Sequence, residues 1–351
     1  MRWLKRIGIG ILIALAAALL AGCAYEMWAR HRVAADLPAP GTLVDIGGRR
    51  IHIDCRGTGA PTVVFESGLD MYGSLSWSSV QDEVAQTTRA CSYDRAGVMW
   101  SDRSSGARDG AAIASDLHAT LRAAREQGPY IMVGHSLGGP YVMTYIQQFG
   151  DEVAGVVFID ASHPDQQLRL KEALGKSVEE STTGPKLLAA ITWTGLPRLV
   201  TRSIGHAKAP ARANAAMAAF VPRSLRPMLG ELAAIDETFR EAGALRSLGD
   251  RPLVVLTAAA PLAAADLATL GLTHEQGEQL QAVWFDLHRD EASWSSRGRE
   301  TRLEDSHHYI QFERPDAVID AVGAVVACVR SLREDTVATL PACRGNVAGA
   351  R

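Results

Sequence analysis

One pentapeptide constrains this chain more than any other: Gly134-His135-Ser136-Leu137-Gly138. It follows the short, unbroken apolar run Tyr130 to Val133 and precedes a helix-like stretch from Gly139 to Phe149. An apolar run of that length suits a strand buried on both faces. A strand that passes at once into a helix must turn sharply, and small residues at 134 and 138 let the two elements approach. The turn lifts the Ser136 hydroxyl out of the sheet. The N-terminus of the following helix then lies behind it, where developing negative charge is favoured. The G-x-S-x-G pattern alone is weak in a chain with 32 glycines. The strand–turn–helix setting gives it force.

Other segments repeat the alternation. Thr42 to Arg56 reads as two short strands around Gly47-Gly48, a hairpin signal. Thr62 to Glu66, Ala90 to Tyr93, Tyr130 to Gly134, Val153 to Asp160 and Arg251 to Thr257 read as further strands. Ala111 to Gln127 reads as a helix with Ile113, Leu117, Leu121 and Ala124 on one face. Strands alternating with helices of this length predict an α/β fold with a mostly parallel sheet covered on both sides. Residues 161–249 break the pattern: Ala-, Arg- and Leu-rich, they show no clear strand and are too long for an ordinary connection. They predict a helical cap inserted between core segments 42–160 and 250–333. A final helix spans Arg314 to Arg333, and 334–351 form a loose tail.

The 351 residues are 47% hydrophobic and 21% charged, with net charge -3. That is a globular composition without the basic face a nucleic-acid partner would need. The N-terminus is different. Arg2, Lys5 and Arg6 precede an uncharged apolar run from Ile7 to Ala21, so residues 1–24 read as a signal, lipoprotein or membrane-anchor segment. Residues 25–41, Pro/Ala-rich from Val33, are expected to be a linker. Leu20-Ala21-Gly22-Cys23 resembles a bacterial lipobox, which makes Cys23 a lipidation candidate. An uncleaved anchor and a plainly secreted form are the alternatives, and each puts the domain outside the cytoplasm, in or beyond the cell envelope. Cys55, Cys91, Cys328 and Cys343 lack metal-ligand spacing. They are either two disulfides, Cys55–Cys91 and Cys328–Cys343, or buried thiols.

Taken together, the motif and its setting resemble the α/β-hydrolase superfamily, in particular its serine esterase-like members. The resemblance runs from about Thr42 to Arg330. It implies an eight-stranded, mostly parallel sheet with helices on both faces, and Ser136 as the nucleophile, flanked by Gly134, His135 and Gly138. Ser306-His307-His308-Tyr309-Ile310 is similar to the Ser-Gly-His stretch of such enzymes, which implies His308 rather than His307 as the base. The acid is Asp160, at the end of the strand after the nucleophile helix, or alternatively Asp266. The oxyanion hole falls to the N–H groups of Leu137 and Leu69, with Gly68 supplying permissive backbone. Tyr93-Asp94-Arg95-Ala96-Gly97-Val98-Met99-Trp100-Ser101 is similar to a D-x-x-G-x-G-x-S stretch of the superfamily, with Met99 replacing its second glycine; Asp94 and Arg95 would brace the loops near the nucleophile.

The resemblance implies hydrolysis of a small ester-type substrate, a carboxylic ester or lactone, through an acyl-enzyme. No metal or organic cofactor is required. A serine at this position argues against dehalogenase or epoxide hydrolase chemistry, because those members use Asp there. Amidase, thioesterase and carbon–carbon hydrolase activities stay open, as does a non-catalytic envelope binding role. In the cap, Trp193, Leu196, Leu199, Met217, Phe220 and Met228 either line an apolar pocket or pack the cap itself. Oligomeric state is not legible.

Overall fold

The computed structural model describes residues 2–178, 182–201, 204–334 and 343. Eight strands form one sheet: β1 (Thr42–Asp45), β2 (Arg50–Arg56), β3 (Thr62–Glu66), β4 (Ala90–Tyr93), β5 (Tyr130–His135), β6 (Val153–Ile159), β7 (Leu253–Ala258) and β8 (Gly298–Leu303). Their spatial order is β1-β2-β4-β3-β5-β6-β7-β8. The β1/β2 and β2/β4 pairs are antiparallel and all the others are parallel. Alternate residues of each central strand serve opposite cores. Met132 of β5 packs with Val64, Phe158, Val255 and the helix residues Leu117 and Val142 on one face. Ile131 and Val133 pack with Phe65, Ile159, Leu256 and Val322 on the other. Covering helices are Gly110–Ala123 and Gly138–Phe149 on the first face and Pro315–Arg333 on the second.

Strand β8 has no counterpart in the sequence reading. Its Gly-Arg-Glu-Thr-Arg-Leu is polar and half-exposed, as suits an edge strand that must discourage further pairing. The helix His274–Ser293 before it also went unread; it begins with a capping box between Thr273 and Gln276.

Residues 25–41 are not all linker. One helix runs unbroken from Arg2 to Asp36. Ala, Arg, Met and Glu favour helix, and the Glu26–Arg30 and Arg32–Asp36 pairs at i,i+4 support it. Its first half is exposed and, by length and composition, could cross a membrane. Its second half is docked, with Glu26 and Ala29 buried.

Between β6 and β7 the described residues are mainly helical, with Gln166–Leu174, Thr183–Ala190, Leu196–Val200, Ala211–Ala233 and Ile235–Ala242 falling where the sequence predicts a cap. Met217 and Phe220 are buried, whereas Trp193, Leu196 and Leu199 are exposed. Disulfides join Cys55 to Cys91 and Cys328 to Cys343. Apart from Glu334 and Cys343, the tail 334–351 lies outside the described residues.

Candidate active site

The β5–helix turn is as tight as its glycines require. Ser136 has φ 53°, a left-handed conformation that a non-glycine residue holds only under constraint. Three backbone bonds supply it: Ser136 N–H donates to Ile159 O at 3.2 Å, and Ser136 O accepts from Gly139 N and Ser162 N, each at 2.9 Å. A Cβ on Gly138 would lie 2.5 Å from Glu66 O, so only glycine fits where helix and β3 cross. The helix Gly138–Phe149 starts directly after Leu137.

His308 Nε2 lies 2.9 Å from Ser136 Oγ, and His308 Nδ1 lies 2.6 Å from Asp160 Oδ2. The sequence thus brings together residues 136, 160 and 308. His307 turns away, its ring 3.3 Å from Glu313 Oε2. Asp266 is exposed in the first turn of the helix Ala264–Leu270, with no bond to His308.

Asp160 is buried and held at φ 42°. Burial alone would raise its pKa, but the bond to His308 and the charges of His308 and His288 outweigh that and hold it below the usual carboxylate value. Its other oxygen, Oδ1, accepts from Ala258 N at 3.0 Å and from the Trp284 indole at 3.1 Å. His288 stands behind, bonded to Ala161 O and Thr257 Oγ1, each at 2.9 Å. An ionised Asp160 fixes the Nδ1–H tautomer of His308, which turns the Nε2 lone pair toward Ser136. His135 supports the same group from below: its Nε2–H donates to His308 O at 2.9 Å. Burial, aided by His308, depresses the His135 pKa to about 3, so this ring is neutral.

The loop after β3 lies against Ser136. A Cβ on Gly68 would stand 2.8 Å from Ser136 Cβ and 3.0 Å from His135 Nδ1. Leu69 packs beside Leu137 in a small apolar cluster with Ile113, Tyr141 and Phe239. Arg95 sets this loop. Its guanidinium donates to Ser67 O and Gly68 O, both at 2.7 Å. The same fork binds Glu66 at 2.7 Å and, on the cap, Glu231 at 2.8 Å. Arg108 also pairs with Glu231, and the Tyr93 hydroxyl donates to Glu66. Burial raises the Glu66 pKa to about 7, opposed chiefly by Arg95. Asp94 accepts from Ser74 N at 2.7 Å and Trp100 N at 3.2 Å, and lies 2.8 Å from His52 Nδ1. Met99, where the superfamily stretch has glycine, keeps a glycine-like φ of 43°. Its N–H is held by Ser224 Oγ of the cap at 3.0 Å.

Sequence reasoning missed Trp284, Glu66 and Glu231. Their roles depend on proximity across 29 to 136 positions, for which no local pattern exists. Glu66 alone carried a hint, as a carboxylate ending an apolar strand.

A family model described as the alpha/beta hydrolase fold matches residues 61–181. Among curated proteins, YbdG of Bacillus subtilis is 28% identical over 154 residues, covering 42% of this chain and 46% of that protein. YqjL of the same organism is 29% identical over 123 residues, covering 34% and 47%. The match therefore spans less than half the length of these relatives. Among solved structures, an esterase from Thermogutta terrifontis aligns over 82% of this chain and 98% of its own, with TM-score 0.53 and 17% identity. An esterase from Exiguobacterium antarcticum aligns over 82% and 99%, with TM-score 0.55 and 15% identity. An epoxide hydrolase from Bacillus megaterium aligns over 82% and 100%, with TM-score 0.57 and 15% identity. At these identities the structural likeness is one of fold.

Proposed function

As a member of the α/β-hydrolase superfamily, this chain is, we propose, a serine hydrolase that cleaves a carboxylic ester or lactone through an acyl-enzyme. The observation that carries the reading is the continuous chain from Ser136 Oγ through His308 to Asp160, at 2.9 Å and 2.6 Å. A serine hydroxyl is a weak nucleophile until a base takes its proton. His308 Nε2 is that base. As Oγ attacks the carbonyl carbon, its proton passes to Nε2, and the imidazolium is stabilised by the ionised Asp160. The carbonyl oxygen becomes an oxyanion, held by the N–H groups of Leu137 and Leu69. His308 then protonates the leaving alkoxide, activates a water and regenerates Ser136.

The site requires neither a metal nor an organic cofactor for these steps. The two disulfides favour an oxidising compartment, and the Arg2–Asp36 helix serves as signal or anchor, so we assign the domain to the extracytoplasmic side of the cell envelope. If Cys23 is lipidated, it lies at the point where that helix first meets the cap.

Hydrolysis of p-nitrophenyl esters and labelling by a fluorophosphonate probe test the reading. Ser136→Ala should lose about a thousandfold or more in kcat and all labelling while remaining folded. Asp160→Asn should be far more damaging than Asp266→Asn. Ester hydrolysis retained by Ser136→Ala would overturn the proposal.

A further inference from the structure

The outward side of the cap carries an apolar face beside the N-terminal helix. Leu196, Leu199 and Val200, spaced i, i+3 and i+4, are 55%, 55% and 67% exposed. Pro197 and Arg198, on the opposite side of that turn, are buried. Leu187 and Ile191 extend the face, and Trp193 lies between the two groups, 48% exposed. Large apolar side chains gathered in this way on a soluble surface mark an interaction site.

The helix shows what covers them. Ile7 to Ala24 is about 27 Å of helix, close to the thickness of a bilayer's hydrocarbon core. Arg2, Lys5 and Arg6 stand at one end. At the other end the helix meets the cap. A Cβ on Gly22 would lie 2.2 Å from Thr194 O, and one on Gly195 would lie 2.8 Å from the Tyr25 ring. Glu26, the first acidic residue of the chain, is buried against Arg198 at 2.6 Å. The cap turn 192–198 is therefore fixed at the level where the helix leaves its apolar stretch. The exposed leucines and Trp193 stand at that same level, where tryptophan is favoured at the boundary between lipid and water.

We propose that Leu187, Ile191, Trp193, Leu196, Leu199 and Val200 form a bilayer-docking surface, seated in the lipid interface alongside the N-terminal helix. Ile204 is 40% exposed, and two residues on, the His206 ring lies 5.2 Å from that of Tyr309, the residue after His308. Through that ring contact a docked cap sets the site beside the lipid and favours esters of membrane-borne amphiphiles. That preference rests on the hydrolase reading; docking itself does not.

The test uses the full chain in phosphatidylcholine/phosphatidylglycerol vesicles, with p-benzoylphenylalanine placed singly at Leu12, Leu196, Leu199 or Arg240. Irradiation followed by mass spectrometry should find lipid adducts at 12, 196 and 199 and none at 240. Adducts to a second copy of the chain at 196 and 199, or no lipid adduct there while Leu12 gives one, would overturn the proposal. No lipid adduct at Leu12 would do the same, because the helix would not be in the bilayer. In a second arm, Leu196→Asp/Leu199→Asp should lower hydrolysis of a vesicle-borne long-chain ester tenfold or more and leave p-nitrophenyl acetate within twofold. Unchanged turnover of the vesicle-borne ester would overturn the delivery role. If the unmodified chain cleaves neither ester, the hydrolase reading fails and the crosslinking result still decides docking.

Discussion

Trp284 donates its indole N–H to Asp160 Oδ1 at 3.1 Å, on the side of the carboxylate that His308 leaves free. With Ala258 N it holds the carboxylate plane, so that Oδ2 faces the imidazole. Such a bond to an ionised group contributes about 1.5–3 kcal/mol. Trp284→Phe keeps most of the ring volume and removes the donor. The expected result is a fall of about tenfold in kcat with little change in KM, since each 1.4 kcal/mol is a factor of ten. Steady-state kinetics on a p-nitrophenyl ester checks it, and an unchanged kcat would show that Ala258 N alone orients Asp160.

The sequence exposes those parts of this site that are local. The turn at Ser136 advertises itself because its glycines sit between a doubly buried strand and a helix. Asp160 could be found because a carboxylate ending an apolar strand needs a partner. Strand β8 and the helix His274–Ser293 were hidden, the first because an edge strand carries charge rather than apolar periodicity. Trp284 was hidden with them, so the bond that fixes Asp160 could not be inferred. The Arg2–Asp36 helix was cut short at residue 24 because its apolar run ends there and 25–41 were read as linker, when helix-favouring polar residues carry it on to Asp36 and the prolines come only after that.

Arg95 links the Ser67–Leu69 loop to residue 231 of the predicted cap through one planar fork, touching Ser67 O, Gly68 O, Glu66 and Glu231. Lysine keeps the charge but cannot reproduce that geometry. Arg95→Lys should therefore free the loop carrying Leu69 and lower kcat by roughly 10- to 100-fold, in the range of losing part of an oxyanion hole. It should also lower the melting temperature, because Glu231 loses a buried partner. Kinetics and thermal unfolding on the same variant separate the two effects. A wild-type kcat at a lowered melting temperature would restrict Arg95 to a structural role.

His135 makes the fold acid-sensitive. Its pKa is near 3 when folded and near 6.5 when unfolded. Between these values the unfolded chain binds the extra proton, so the stability gained from a neutral His135 is complete above pH 6.5 and is lost as pH falls. The slope is about 1.4 kcal/mol per pH unit for one such group. His135→Gln puts an amide donor where Nε2 stands, so it can still donate toward His308 O, and it does not titrate. Its stability should fall less steeply than wild type from pH 6.5 down to 4, as denaturant titrations at several pH values would show. Parallel profiles for the two proteins would mean that His135 does not titrate with folding.

Cys55 and Cys91 sit directly opposite one another where β2 pairs with β4, and the bond between them closes a loop over 36 positions. That loop contains β3 and the Gly68–Leu69 segment, so the cross-link restrains the unfolded chain around half of the candidate site. The chain-entropy model assigns roughly 4 kcal/mol to a loop of that size, against roughly 3 kcal/mol for the 15-position loop closed by Cys328–Cys343. Cys55→Ala/Cys91→Ala should therefore lower stability more than Cys328→Ala/Cys343→Ala, and only the first pair should also reduce ester turnover as temperature rises. Thermal unfolding with parallel activity measurements compares them. Equal losses in both pairs would mean that the sheet itself, rather than the bond across it, holds the Gly68–Leu69 loop in position.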